Sequence, residues 1–358
     1  MSSNPFKRLA ERLDAIPNGF PPTEDGAELR LLAKLFTAEE AAIAAELRLT
    51  METPEEIAAR LGSDPREMKS HLKGMARRSL IAWGKVEGGI GYGLMPFVVG
   101  IYEFQAGTID AELAQLFEDY YQQVFTDVLK VKPQMHRVVP IGESVQVGME
   151  IRPYESATGI VDEAKAWAVT DCICRKQKVL IGDPCDHPLD VCMIMSKQPG
   201  AFDDRPTLRS LTQQEALDTL RRAANAGLVH SVANSQEGLW YICNCCTCSC
   251  GMMRGMAEMG IANVIARSAF VNQVDEDLCH ACEDCLEYCQ FKALSINGTV
   301  FINKIRCVGC GLCVQACPED ALTLVRRPED EILKTPVTER DWMEARAFER
   351  GIEIISVI

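Results

Sequence analysis

No cysteine precedes Cys172 in this 358-residue chain, yet 17 cysteines lie between Cys172 and Cys317. The chain also lacks any run of about 18 apolar residues, the length that a membrane-spanning helix needs. Residues 1–13 are charged and interrupted by proline, which does not fit a secretory signal peptide. We therefore expect a cytoplasmic protein with no membrane span, whose reduced thiols bind metal rather than form disulfides.

Several common cofactor motifs are absent. There is no Gly-x-Gly-x-x-Gly after a strand, no Gly-x-x-x-x-Gly-Lys-Ser/Thr and no Cys-x3-Cys-x2-Cys. These absences argue against a Rossmann-type nucleotide site, a P-loop ATPase and a radical SAM enzyme. The 5 histidines are scattered and indicate no acid–base pair. Whether the chain is an enzyme stays open, and an electron carrier or an oxidoreductase subunit fits better than a stand-alone enzyme.

Residues 25–100 contain helix signals followed by two short strands. Leu32, Leu35 and Phe36 give a first helix its apolar stripe. A second helix begins at a capping box of Thr53 and Glu56, with Pro54 at the first helical position, and ends at Gly62. A third helix begins at Asp64-Pro65, and its inner face consists of Met68, Leu72, Met75 and Leu80. The two strands flank the turn Glu87-Gly88-Gly89. This order resembles the winged-helix regulators of bacteria.

The balance of charge bears on whether this region binds DNA. A net charge of −14 opposes nucleic acid over most of the surface. The predicted third helix and wing nevertheless carry Arg66, Lys69, Lys73, Arg77, Arg78 and Lys85 against Asp64 and Glu67. Because phosphate contacts supply most non-specific affinity, DNA stays open as a partner. The alternative, slightly favoured by the net charge, is a solvated face or a subunit contact.

The segment 101–268 is predicted to be helical first and then mixed. Residues 110–131 form a long amphipathic helix with the apolar face Leu113, Leu116, Phe117, Tyr120, Tyr121, Val124, Val128 and Leu129. Such a stripe fits either a core or the seam of a homodimer. Further predicted elements are a strand at 138–141, helices at 156–168, 212–227 and 252–267, and a hairpin at 228–243.

Two cysteine runs of equal spacing follow. They are Cys279-x2-Cys282-x2-Cys285-x3-Cys289 and, later in the chain, Cys307-x2-Cys310-x2-Cys313-x3-Cys317. Two intervening residues let successive thiolates hold one face of a 4Fe–4S cubane, and the fourth cysteine of each run ligates the other cluster. We therefore predict one centre bound by Cys279, Cys282, Cys285 and Cys317, and a second bound by Cys307, Cys310, Cys313 and Cys289.

This spacing resembles the bacterial two-cluster ferredoxins, which implies two 4Fe–4S clusters and electron transfer. Zinc is the alternative for Cys-x-x-Cys pairs, but two equal runs of four favour clusters. Cys289 is followed by Gln290 where the second run has Pro318, so we expect a looser loop there. His280 and Glu283, which lie between ligands, either tune the potential or are simply exposed to solvent.

The other nine cysteines form two groups upstream. They are Cys172, Cys174, Cys185 and Cys192, and then Cys243, Cys245, Cys246, Cys248 and Cys250. A Cys-x-Cys-Arg segment paired with an Asn-Cys-Cys run ahead of ferredoxin repeats resembles an uncharacterised family of ferredoxin-fused proteins from anaerobes, over about residues 165–325. This resemblance implies no particular reaction. Five cysteines in eight residues do not suit a packed core and indicate a soft metal.

Several metal centres fit these nine cysteines. We favour a third 4Fe–4S cluster that draws ligands from both groups, with Arg175 and the helix after Gly251 stabilising its negative charge. Two further clusters, making four in all, or a centre with an open iron position are alternatives, as are structural zinc and a catalytic dithiol at Cys245-Cys246. His187, beside a proline, is interpreted as part of a surface loop rather than as a ligand.

Together these features predict an α+β protein. Its regions are a winged-helix-like domain (25–100), a mixed helical and Cys-rich middle region (101–268), a two-cluster ferredoxin-like domain (270–325) and a C-terminal helix with an apolar tail (326–358). The main hypothesis is an iron–sulfur electron-transfer protein or redox subunit that serves a partner oxidoreductase. The alternatives are a redox-sensing winged-helix transcription regulator and a reductase whose upstream cluster has an open site.

Overall fold

The computed structural model describes residues 4–203, 205, 208–261 and 264–353. The chain divides into a first unit of Met1–Lys132, Lys176–Asp183 and Met343–Ile358, and a second unit of Pro133–Arg175 and Pro184–Trp342. Helices and strands are both well represented, which confirms the α+β class. Among the described residues, no helix has the length and hydropathy that crossing a bilayer requires.

The first unit consists mainly of helices. Its elements up to residue 132 are α1 (Pro5–Asp14), α2 (Ala27–Leu35), α3 (Ala38–Ala44), α4 (Pro54–Leu61), α5 (Pro65–Arg77), β1 (Ala82–Val86), β2 (Gly89–Gly93) and α6 (Ala111–Lys130). Strands β1 and β2 pair antiparallel. Helices α1 and α3 were not predicted from the sequence.

Local signals explain where α4 and α5 begin and end. The Thr53 hydroxyl accepts a hydrogen bond from the Glu56 amide, and the Glu56 carboxylate accepts one from the Thr53 amide at 2.7 Å, so the predicted capping box is confirmed. Gly62 ends α4 with a φ of +67°, and Asp64 caps α5. Helices α2, α4 and α5 and the β1–β2 hairpin follow one another as predicted, with α3 inserted after α2, while the winged-helix identification stays a prediction.

Helix α6 begins after the cap Asp110 and matches the predicted helix at 110–131. Its apolar stripe packs inside the first unit, where the Phe117 ring stacks on Tyr102 at 3.7 Å and the Tyr120 ring lies 4.7 Å from Phe20. These contacts assign the stripe to the core of this unit. Homodimer formation stays an untested expectation.

The upstream cysteines lie in and around one antiparallel sheet. The elements of this part are β3 (His136–Val138), α7 (Ala157–Glu163), β4 (Ala166–Thr170), α8 (Ile173–Leu180), β5 (Cys192–Ser196), β6 (Arg209–Leu211), α9 (Gln213–Asn225), β7 (Val229–Ala233), β8 (Tyr241–Cys245) and α10 (Gly251–Ala257). The strand order is β3–β7–β8–β5–β4–β6, and every neighbouring pair is antiparallel.

Two of the predicted helices are wrong in extent. The helix predicted at 156–168 ends at Glu163, because residues from Ala166 onward form the strand β4 between β5 and β6. The helix predicted at 252–267 is the much shorter α10, which ends at Ala257. From Ala166 onward, the pairing of β4 with its neighbours overrides the helical pattern, and the described residues that follow Ala257 adopt an irregular backbone.

The ferredoxin-like part follows as two antiparallel strand pairs with two one-turn helices. Its elements, with the C-terminal helix, are β9 (Phe270–Val274), α11 (Asp284–Glu287), β10 (Leu294–Asn297), β11 (Thr299–Ile302), α12 (Leu312–Gln315), β12 (Leu322–Arg326) and α13 (Glu339–Arg350). Strand β9 pairs with β12, and β10 pairs with β11. Gly351 follows α13 as predicted, while most of the predicted apolar tail lies outside the described residues.

Candidate metal centres

Four cysteines of the first predicted ligand set line one cavity. Cys279, Cys282 and Cys285 from the first run meet Cys317 from the second run around this cavity. The remaining wall is largely apolar and includes Ile296, Val300 and Leu322. Cys317 therefore lies beside the cysteines of the first run, while its role as a cluster ligand stays a prediction.

The second predicted set lines another cavity. Cys307, Cys310 and Cys313 meet Cys289 there, with aromatic and aliphatic side chains around them. The Asn272 side-chain amide donates a hydrogen bond to the Cys313 sulfur at 3.1 Å. A hydrogen bond of this kind stabilises a thiolate over a thiol.

The electrostatics of both cavities suit a bound cation. Burial raises the pKa of Cys285 to about 11, and the neighbouring sulfurs of Cys317, Cys282 and Cys279 contribute to this rise. Burial likewise raises the pKa of Cys310 to about 12. Thiols that resist ionisation so strongly give up their protons when a metal binds, because the metal supplies the missing positive charge.

These cavities therefore fit the cofactor that the spacing predicts. Each presents four cysteine sulfurs, the usual ligand set of a 4Fe–4S cluster, within a largely apolar wall. A bound 4Fe–4S cluster supplies reversible uptake of one electron. The residues of the chain set its solvent exposure, its hydrogen bonds and the charge around it.

The two cavities differ in how closely they approach solvent. Cys282 is exposed and Cys279 is partly exposed, whereas Cys307 and Cys313 of the second set are buried. His280 and Glu283 are both exposed and both line the first cavity, so the two interpretations offered for them are compatible. The first site is the better placed for contact with another protein.

The backbone repeats together with the cysteines. Ala281 and Gly309, at equivalent positions of the two runs, both have positive φ, and so do Glu283 and Gly311. Gly309 has a further constraint, since a Cβ at this position would lie 2.1 Å from the Phe270 carbonyl oxygen. Glycine is required there by the close approach of β9 as well as by the backbone conformation.

Gln290 corrects the expectation of a looser loop after Cys289. Its side-chain oxygen accepts a hydrogen bond from the Thr247 amide at 2.6 Å, and its side-chain nitrogen donates to the Gly227 carbonyl. The residue that replaces the usual proline therefore ties the Cys289 loop to the turn after β8. Sequence reasoning missed this role because both partners are distant from Gln290 along the chain.

The upstream cysteines meet at one edge of the sheet. Because neighbouring strands are antiparallel, the end of β4, the start of β5 and the end of β8 lie side by side. Cys172 follows β4, Cys192 begins β5, and Cys243 and Cys245 are alternate residues of β8, which places the latter two on one face. Strand pairing thus assembles thiols from segments that are distant in sequence.

Six of these thiols form a closed ring, hereafter the six-thiol ring. Each lies near enough to the next to shift its pKa, in the order Cys172, Cys174, Cys250, Cys245, Cys243, Cys192 and back to Cys172. The Cys250 and Cys245 sulfurs are 3.3 Å apart. Hydrogen bonds from its neighbours, Cys243 first, lower the pKa of Cys245 to about 6, and those from Cys174 and Cys192 lower that of Cys172.

Arg175 places a buried positive charge beside this ring. Its side chain is 2% exposed, and its Nη1 donates to the Asn244 carbonyl at 3.1 Å and to the Cys246 sulfur at 3.7 Å. Burial would lower its pKa, but Cys172, Cys192 and Cys246 outweigh burial and raise it. Its Nε and Nη2 have no hydrogen-bond partner among the described residues, which fits an anionic group bound by the ring.

The three remaining cysteines stand apart from the ring. Cys185, Cys246 and Cys248 gather with His187, and the four donor atoms all lie within 4.8 Å of one another. His187 does lie in a loop, as expected, but its Nδ1 is 3.6 Å from the Cys248 sulfur. Its spacing from Cys185 was the available signal, and its neighbour Pro188 led to the opposite interpretation.

Comparison with known proteins supports the ferredoxin-like part. Residues 300–323, which include the whole second cysteine run, match the family described as "4Fe-4S binding domain". This chain is 42% identical over 50 residues to the putative electron transport protein YsaA of Escherichia coli K12, which is 13% of this chain and 32% of YsaA. It is 41% identical over 61 residues to the electron transport protein HydN of the same strain, 16% of this chain and 35% of HydN.

A third relative is formate hydrogenlyase subunit 2 of the same strain, 31% identical over 83 residues, 22% of this chain and 41% of the subunit. The chain thus spans about a third to two fifths of the length of these relatives. The family match and these similarities show that the chain carries a ferredoxin-type 4Fe–4S domain.

Proposed function

We propose that this protein is an iron–sulfur electron-transfer protein or a redox subunit that exchanges electrons with a partner oxidoreductase. The observation that carries the proposal is the pair of cavities, each lined by four cysteines contributed three and one by the two runs. Relatives named as electron transport proteins and as a hydrogenlyase subunit support it. Two clusters of the 4Fe–4S type belong to these cavities.

A third iron–sulfur cluster belongs to the six-thiol ring. Six sulfurs exceed the four that one cubane needs, and Arg175 offers positive charge and two side-chain nitrogens, Nε and Nη2, that have no acceptor among the described residues. Buried cations of this kind require an anion nearby, since an uncompensated charge in the interior is costly. The ring therefore suits an anionic cluster better than it suits free thiols.

The partner meets the protein at the first cavity. The exposed side chains that flank its cysteines are predominantly acidic and comprise Glu276, Asp277, Glu283, Asp284, Glu287, Glu319 and Asp320. Complementary charge accelerates the encounter of redox proteins more than it strengthens their final complex. The expected partner thus presents a basic patch around its own redox group.

Metal analysis tests the proposal most directly. Anaerobically purified protein should contain about 12 irons and a matching amount of acid-labile sulfide, with EPR signals of reduced 4Fe–4S centres. About 8 irons would confine the clusters to the ferredoxin-type domain and remove the third one. Colourless protein, or protein that holds only zinc in the two cavities, would overturn the electron-transfer proposal as a whole.

Charge reversal at the rim tests the docking surface. Glu283→Lys should slow electron exchange with a basic redox partner several-fold at low ionic strength, and the difference should shrink as salt screens the charges. Glu329→Lys makes the same change of charge at an exposed residue that does not line the cavity, and it serves as the matched control. Equal effects of the two substitutions would contradict docking at this rim.

One observation favours a second function, binding of DNA. Arg66, Lys69, Lys73 and Arg77 are all exposed along α5 and form no salt bridge within the described part of the chain. Arg78, counted with them in the sequence, instead pairs with Glu40 and donates to the Leu35 carbonyl. A basic helix face followed by a hairpin suits phosphate contact in a cluster-bearing regulator.

Gel retardation distinguishes this second function. The regulator hypothesis expects retardation of the DNA upstream of the protein's own gene, loss of binding after exposure to air, and weaker binding of the variant Lys69→Glu/Lys73→Glu. Binding should also fall steeply with salt, since phosphate contacts release counterions. Absence of retardation by anaerobic protein at low salt would leave the basic face of α5 as a solvated surface.

A further inference from the structure

Cys185, His187, Cys246 and Cys248 form the most compact donor group of the described residues. All four donor atoms lie within 4.8 Å of one another, and no other set of three or more His, Cys, Asp or Glu donors in the described ranges does so. No three cysteines of the ferredoxin-type cavities or of the six-thiol ring are therefore this close together. The difference in spacing separates two kinds of site.

The spacing matches a single ion rather than a cubane. Zinc binds sulfur at about 2.3 Å and nitrogen at about 2.0 Å in a tetrahedron, so neighbouring donors are about 3.5–3.8 Å apart. The Cys248 sulfur and the His187 Nδ1 are 3.6 Å apart. The four ligands of a cubane each bind a different iron, so they cannot all lie this close together. In the six-thiol ring the Cys250 and Cys245 sulfurs are 3.3 Å apart, but no three of its sulfurs lie within 4.8 Å of one another.

The surroundings supply the outer contacts that such a site needs. Three thiolates with one Zn²⁺ carry a net charge of −1, and the Arg175 Nη1 lies 3.7 Å from the Cys246 sulfur. The Ser249 hydroxyl donates to the Cys185 sulfur at 3.2 Å. Hydrogen bonds and opposite charge around the ligands orient them and stabilise the deprotonated form that zinc requires.

We propose that Cys185, His187, Cys246 and Cys248 bind one zinc ion, separate from every iron–sulfur site of the protein. Four protein ligands leave no open position, which is the mark of a structural zinc site. The ion joins the loop before β5 to the turn after β8, and this turn lies between Cys245 and Cys250 of the six-thiol ring. The inference goes beyond the proposed function and does not depend on it.

The direct test is the zinc content and the zinc X-ray absorption of anaerobically purified full-length protein. One zinc per chain should remain after dialysis against a chelator, with three sulfurs at about 2.3 Å and one nitrogen at about 2.0 Å. Protein without zinc, or with iron bound by these four residues, overturns the proposal. So does a zinc ion surrounded by four sulfurs, since His187 would then not be a ligand.

Variants separate this site from the ring. Cys248→Ser should lower the zinc content at least about tenfold after chelator treatment while the iron content stays unchanged. Cys243→Ser, in the six-thiol ring, should lower iron and leave zinc in place.

His187→Cys should retain the ion and change its X-ray absorption to four sulfurs, which keeps the test decisive if Cys248→Ser fails to fold. His71→Ala, on the surface of α5, is the matched control and should change neither metal; loss of iron in place of zinc from Cys248→Ser contradicts the proposal.

Discussion

The ferredoxin-type domain and the upstream cysteine region assemble their thiols by different means. In the ferredoxin-type domain, three of the four cysteines of each cavity come from one short segment, 279–285 or 307–313, whose turns hold them in place. In the upstream region, the six-thiol ring draws on the end of β4, the start of α8, the start of β5, the end of β8 and the turn beyond it. Local spacing governs the first arrangement, and strand pairing governs the second.

This contrast decides how each region responds to change. A ligand set held by local turns tolerates distant substitutions, because its geometry depends on a few neighbouring residues. A ring held by the register of a sheet depends on every strand that brings a cysteine to it. Substitutions outside the cysteines should therefore affect the upstream metals more than those of the ferredoxin-type domain.

The largest effects should come from the cysteines exchanged between the two runs. Cys317→Ser should disturb the same cluster as Cys282→Ser, although it lies in the other run, because both residues line the first cavity. Each variant should lose up to about four irons or retain an altered centre. EPR spectra of the reduced proteins provide the comparison.

Cys289→Ser is the reciprocal case and should resemble Cys310→Ser, which lines the second cavity. If Cys317→Ser instead resembled Cys310→Ser, each run would bind its own cluster and the exchange of ligands would be wrong. Both outcomes are visible in the pattern of EPR signals that each variant loses.

Replacement of Arg175 should have the next largest effect, and only upstream. Arg175→Gln removes a buried cation that lies beside Cys246, so the negative charge of both upstream sites is left uncompensated. Glutamine is smaller than arginine and fits the same space. Breaking a buried charge pair in this way costs about 3–5 kcal/mol. Upstream iron and zinc should fall, while the EPR signals of the ferredoxin-type clusters stay unchanged.

Arg175→Lys is the matched variant for this prediction. It keeps the charge but loses the planar group that contacts the Asn244 carbonyl and the Cys246 sulfur at the same time. An intermediate loss of upstream metal is expected. Equal loss of upstream and ferredoxin-type clusters in Arg175→Gln would indicate general unfolding rather than a local electrostatic role.

The same contrast explains what the sequence could predict. The spacing of the two runs was enough to assign all eight ferredoxin-type cysteines to two groups, because each group is mostly local. Nothing in the sequence separated Cys245 from Cys246, adjacent residues that belong to the six-thiol ring and to the proposed zinc site respectively. That separation depends on the direction in which β8 ends, which strand pairing decides.

Caps and turns were predictable for the same local reason. Thr53, Gly62 and Asp110 mark helix ends through contacts close by in the sequence, and the structure agrees with each. The helix predicted at 156–168 was wrong beyond Glu163, since Ala166–Thr170 pairs with β5 and β6. Residues far apart in sequence decided that outcome, as they did for Gln290.

Gly309→Ala should be the strongest single substitution outside the ligands of the ferredoxin-type domain. The added methyl group would lie 2.1 Å from the Phe270 carbonyl oxygen, on a backbone with a φ of +69°. Strain and overpacking together should cost about 3 kcal/mol. Loss of iron absorbance during denaturation under anaerobic conditions measures the change.

Ala281→Gly, at the equivalent position of the first run, is the matched control. Ala281 already carries a Cβ at a φ of +53°, so its removal should change the stability by less than about 1 kcal/mol. A similar response of the two variants would show that the halves of the repeat are packed alike at this position.

Acid should weaken the sheet of the upstream region through two buried histidines. Burial lowers the pKa values of His136 and His230 from 6.5 to about 4. The unfolded chain therefore binds more protons than the folded chain between pH 6.5 and about 4, so stability is lost as the pH falls through this window. At pH 5 each histidine should cost about 2 kcal/mol.

His136→Gln isolates this contribution. The Tyr241 hydroxyl and the His136 Nε2 are hydrogen-bonded at 2.9 Å, and a glutamine side chain can form such a bond without titrating. The variant should lose less stability than the wild-type protein between pH 7 and pH 5. Because acid affects the clusters of both proteins alike, the difference in stability loss between His136→Gln and the wild type reports on the histidine alone. Identical pH profiles for the two proteins would contradict the prediction.

The smallest effect tests one of the ties between the two regions, the side chain of Gln290. Gln290→Leu should remove the hydrogen bonds to the Thr247 amide and the Gly227 carbonyl, at a cost of about 1–2 kcal/mol. Gln290→Glu keeps an acceptor for the Thr247 amide and loses only the donor, so its effect should be smaller.

Hydrogen exchange at the Thr247 amide, followed by mass spectrometry, should accelerate in Gln290→Leu and much less in Gln290→Glu. The substitution leaves Cys289 in place, so the EPR signals of the ferredoxin-type clusters should not change. Unaltered hydrogen exchange at the Thr247 amide in Gln290→Leu would mean that metal ligands alone hold the turn after β8.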